Sequence, residues 1–95
     1  MSQKSDRMGV YVDIARWPFG HMLMCHMFAD TTEELMVMAD RIGVQRKWIQ
    51  KAGTADEHFD IAKGKRALAV TGGAIEVDDR TMVEFFRRRR ATLSG

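Results

Sequence analysis

Cysteine occurs once among the 95 residues. No disulfide framework exists, and Cys25, set in an apolar run, reads as a small buried hydrophobe. Proline also occurs once, at Pro18, and no low-complexity linker divides the chain. Long apolar runs are missing: the longest, Met22 to Ala29, falls far short of the roughly 18 residues that a membrane span needs. Residues 1–8 are polar and carry no apolar signal core, so a cytoplasmic protein without a membrane partner is expected.

An excess of either charge is missing too. The 15 basic residues stand against 13 acidic ones, for a net charge of +2 and a pI near 9.0, a balance too mild to imply nucleic-acid binding. The chain has no P-loop, no G-x-G-x-x-G fingerprint and no G-x-S-x-G turn. Cys25 adjoins His26 and so points to the other face of a strand, which argues against a Cys–His dyad.

What is present suits one small domain. The length and the 45% apolar content predict a single unit over 9–91, with a polar tail over 1–8 and a short one over 92–95. A chain this short buries on the order of 60–65% of its surface, so a homodimer is expected. Residues 9–14 have the β-branched and aromatic content of a strand. Pro18 and Gly20 suit the second and fourth positions of a type I turn. Met22 to Ala29 is apolar on both alternating faces, as a central strand covered by helices would be. Thr31 and Glu34 stand at capping-box spacing, Leu35, Met38, Ala39 and Ile42 form one buried face, and Gly43 ends that helix. Met36 and Val37 widen its apolar face toward a second contact.

Further on, residues 44–50, built around Trp48 and Ile49, read as a third strand. Asp60 reads as the cap of a helix reaching Val70, with Ile61 and Leu68 inward and Gly64 at a close contact. Residues 74–77 read as a last strand, and Asp78 or Asp79 as the cap of a final helix with Met82, Val83, Phe85 and Phe86 inward. The order β-β-α-β-α-β-α defines a small layered α/β fold.

Asp13, His26, Asp30, His58 and Asp60 stand in or beside apolar stretches, where a polar group is costly unless it is paired or used. His26 and Asp30 share a strand face at about 13 Å, so each must meet another element, such as Asp13 or His58. His21 reads as a turn residue. A divalent metal suits Asp13, His26, His58 and Asp60 chemically, although no spacing matches the close pairs of zinc motifs. The start of the Asp60 helix, with Lys63 and Arg66, would attract a phosphate. Trp17 and Trp48 could stack on a base, and Arg87, Arg88, Arg89 and Arg90 could grip nucleic acid or an acidic partner.

Val12-Asp13, Trp17, Cys25-His26, Ala29-Asp30, Glu34-Leu35, Ile42-Gly43, Trp48-Ile49-Gln50, His58-Phe59-Asp60, Arg66-Ala67 and Gly73-Ala74 together carry a resemblance. Over roughly residues 9–77 the chain resembles the small bacterial and phage proteins catalogued as domain of unknown function 4031. The resemblance implies a bacterial or phage source and groups His26, Asp30, Trp48, His58, Asp60 and Arg66 as a set. The chain departs from the usual pattern at Phe59, where a tyrosine is common, and at Met36, where a histidine is common.

The functional expectation is a pocket between the Met22–Ala29 strand and the His58 helix, holding a small phosphate-bearing ligand such as a nucleotide. Asp60, Lys63 and Arg66 would handle the phosphate, a tryptophan would stack, and His26 and His58, with Asp13, would act as acid and base, with hydrolysis a further step. The alternatives are an accessory protein that binds nucleic acid or protein through Arg87 to Arg90, and a purely structural homodimer subunit.

Overall fold

The computed structural model describes residues 9–94; the tail expected over 1–8 lies outside them. The strands are β1 (Val10–Val12), β2 (Trp17–Phe19), β3 (Met22–Ala29), β4 (Phe59–Ala62) and β5 (Ile75–Glu76), and the helices are α1 (Thr32–Ile42), α2 (Lys63–Thr71) and α3 (Asp79–Ser94). The α/β class and the expected order hold, with one strand added near the start.

β3 is the central strand. β4 pairs antiparallel with one edge, placing His26 opposite Asp60. The other edge carries β1 against Val12↔Met27 and β2 against Trp17↔Met24, both antiparallel. Between those two pairs, residues 13–16 stand against only Cys25 and His26, a bulge that swings Asp13 toward His26. β5 adds parallel to β1.

The two sheet faces differ in kind. One face carries Val10, Val12, Cys25, Met27, Ala29, Phe59 and Ile61, which pack with Leu35, Met38, Ala39 and Ile42 of α1 and Ala69 of α2 as the core. Helix α1 has the expected ends: Thr31 Oγ1 accepts the Glu34 amide at 3.1 Å, and Gly43 closes the helix in the left-handed conformation at φ 81°. The other face carries Tyr11, His26, Phe28, His58 and Asp60 and is crossed by α3. The Phe85 and Phe86 rings of α3 each lie 4.9 Å from that of Phe28. The Asp78 carboxylate accepts the Thr81 amide at 2.8 Å and caps α3, which runs through Ser94 and so overruns the tail expected over 92–95.

Four local expectations are corrected. Pro18 lies in edge strand β2, where a missing N–H is tolerated, and the reversal falls on Gly20 and His21, with Gly20 at φ 64°. Residues 44–50 form no strand: Arg46–Trp48 is a 3-10 turn, because Val44 and Ile49 turn to the core while Arg46 donates two hydrogen bonds to Asp40. His58, Phe59 and Asp60 do not open a helix. Phe59 and Ile61 alternate inward on β4, and α2 starts at Lys63 without a side-chain cap. Leu68 is therefore half exposed, Ala69 takes the buried position, and a Cβ at Gly64 would meet nothing within 4 Å. Among the described residues, no helix is long and apolar enough to cross a membrane.

Candidate metal centre

Strand pairing places three chemically useful side chains on the face opposite the core. His26 and Asp60 are direct cross-strand partners, and His58 precedes Asp60 by one pleat repeat, so all three point the same way. Gln50 holds His58 in place through two backbone hydrogen bonds, 2.7 and 3.1 Å long. One ring nitrogen of each histidine and a carboxylate oxygen of Asp60 lie within 4.8 Å of one another, and His58 Nε2 is 3.2 Å from Asp60 Oδ1.

Nδ1 of both rings already has a partner. His26 Nδ1 lies 2.8 Å from Asp13 Oδ2, and His58 Nδ1 lies 2.7 Å from the Asp56 carbonyl oxygen. Both partners only accept, so each Nδ1 donates to its partner, and Nε2 is the ring nitrogen left to bind an ion. Carboxylate and carbonyl partners of this kind orient metal-binding histidines. Asp13 is itself firmly fixed: its carboxylate accepts the His26 amide at 2.6 Å, its amide donates to the His26 carbonyl, and its own carbonyl accepts Arg66 Nε at 2.7 Å. The Asp13 hydrogen bond holds the His26 pKa above the ordinary imidazole value, against an opposing effect of partial burial.

The surroundings form a small cleft of about 220 Å³, lined by His26, Lys51, Asp56, His58, Met82, Phe86 and Arg90. Met82, Phe86 and Arg90 come from one side of α3, at helical spacing. The Trp17 ring lies 4.5 Å from that of His26 and shields its other side.

Of the residues singled out from the sequence, Asp13, Trp17, His26, His58 and Asp60 are brought together. Asp60 sits on a strand rather than at a helix start. Asp30 turns away, accepting the Tyr11 hydroxyl at 3.0 Å. Trp48 is 58% exposed and lies under the Lys47 ammonium, outside the cleft. Lys63 is exposed on α2, and Arg66 is committed to Asp13 and to Glu76 at 2.9 Å.

The arginine run divides. Arg89 reaches the Ala29 carbonyl at 2.6 Å and the buried Glu57 at 3.5 Å, and Arg90 holds Asp56 at 3.0 Å. The Arg87 and Arg88 side chains are 70% and 77% exposed and, among the described residues, pair only with the Glu84 carboxylate, at 3.7 and 3.8 Å. Lys51 and Asp56 had no distinguishing signal in the sequence, and Met82 and Phe86 were read there only as inward residues of the final helix.

No curated protein and no solved structure matches the chain. A family model, described as protein of unknown function (DUF4031), matches residues 10–89, from β1 into the last third of α3. That span is most of the 95 residues and includes every side chain of the cluster, so the chain belongs to this family.

Proposed function

We propose that this protein is a metal-dependent hydrolase of a small phosphate-bearing molecule such as a nucleotide. The observation that carries this reading is the convergence of His26, His58 and Asp60: each histidine has Nδ1 tied to an acceptor, and one ring nitrogen of each lies within 4.8 Å of an Asp60 carboxylate oxygen. Two histidines and one carboxylate match a catalytic ligand set that leaves positions open for water and substrate. A divalent ion bound there would make a water acidic enough to attack near neutral pH. Asp13 then acts by orienting His26, and the acid–base pairing of His26 with His58 expected from the sequence gives way to shared ligation.

The test is turnover of p-nitrophenyl phosphate and of nucleoside monophosphates after chelation and after readdition of Zn²⁺, Mn²⁺ or Mg²⁺. Turnover should require the metal and should fall by at least about a hundredfold in His58→Ala. Turnover that survives chelation and His58→Ala unchanged would overturn the reading. The exposure of Arg87 and Arg88 favours a second, weaker activity, an electrostatic contact with nucleic acid, which should fade steeply as salt rises.

A further inference from the structure

The basic residues expected to take the phosphate are elsewhere: Arg66 is bound to Asp13 and Glu76, and Lys63 does not line the cleft. A cationic residue nevertheless lines the cleft. Lys51 lines it beside His26 and His58, and among the described residues its ammonium has no hydrogen bond or ion pair. The other cation there, Arg90, is engaged with Asp56.

Lys51 also holds an unusual backbone. Its φ of 52° is the only positive value at a non-glycine residue among those described, a conformation that disfavours any side chain with a Cβ. The surrounding loop fixes it there. Gln50, the preceding residue, is bridged to His58, the Lys51 carbonyl accepts both the amide and the hydroxyl of Thr54, at 3.2 and 2.8 Å, and buried Glu57 accepts the Gly53 amide at 3.1 Å. Glycine would suit this turn better, yet the loop holds a lysine there, at the rim of the cleft.

We infer that Lys51 binds the phosphoryl group of the substrate at this site, an inference that rests on the metal reading for the position of the reacting phosphorus. At about 220 Å³ the cleft is smaller than the roughly 300 Å³ at which pockets for whole drug-sized ligands begin. It has room for a phosphoryl group, with the rest of the molecule outside. The ligand class is a phosphate ester, with Lys51 donating to its non-bridging oxygens.

Lys51→Gly is the informative variant, because it removes the ammonium and relieves the backbone. Lys51→Asn, which also tolerates this conformation, serves as a second variant. Orthophosphate and Mn²⁺ are titrated calorimetrically into wild type and both variants, and phosphate is tested with and without Mn²⁺. Phosphate affinity should fall about 10- to 100-fold in both variants, while Mn²⁺ affinity stays the same and the Lys51→Gly melting temperature does not drop. Equal phosphate affinity in wild type and variants would overturn the assignment, as would a wild type that binds no phosphate under either condition. A wild type that binds phosphate through Lys51 but takes up no Mn²⁺ would support Lys51 and sink the metal reading alone.

Discussion

Asp13 shows how one side chain can set the chemistry of another. Its carboxylate is almost fully buried and holds both the backbone amide and the ring Nδ1 of His26, so the ring has one orientation and one free nitrogen. In Asp13→Asn the shape persists while the charge that strengthens this bond is lost. Zn²⁺ affinity, measured by competition with a chromophoric chelator, should fall about 10- to 100-fold; an unchanged affinity would remove Asp13 from this role. Asp13, His26, His58 and Asp60 could be picked out beforehand because each interrupts an apolar stretch. Lys51, Asp56 and Glu57 could not, since charges are expected in a polar loop. Only the fold shows that Glu57 is 2% exposed and held by Thr32, Gly53 and Arg89.

At the scale of elements, β3 and α1 were legible because their signals agree: apolar alternation over Met22 to Ala29, and a capped, periodic helix ended by Gly43. The strand at Phe59–Ala62 was not, because it passes into α2 at Lys63 with no glycine or proline between them. Two short apolar residues such as Phe59 and Ile61 fit either period until burial decides. Helix α3 was legible as a helix but not as a tethered one. It is fixed across the sheet by Arg16–Asp79, Arg89–Glu57 and Arg90–Asp56 together with the Phe85 and Phe86 rings. Arg89→Ala would leave the buried Glu57 carboxylate short of its cationic partner and should destabilise the protein by about 2–3 kcal/mol. Arg87→Ala, at an exposed and distant pair, should change stability by less than about 0.5 kcal/mol. Urea unfolding of the two variants checks the contrast, and equal effects would contradict it.

Over the whole molecule, the sheet divides its labour by face. The apolar face buries the core under α1 and α2, and the other supports a polar cluster that α3 borders without covering. The cluster has no recognisable spacing because its members meet through the β3–β4 register, His26 against Asp60, and strand register is a property of the fold rather than of local sequence. The β1–β2 bulge and the Gln50–His58 bridge complete it in the same non-local way. Crystals grown with Zn²⁺ and measured at the zinc absorption edge address this arrangement most directly. An anomalous peak should stand among His26, His58 and Asp60, about 2.0–2.2 Å from the ligating atoms, and should vanish in His58→Ala. Zinc-grown crystals of the wild-type protein with no peak at that position would contradict the assignment of a metal centre.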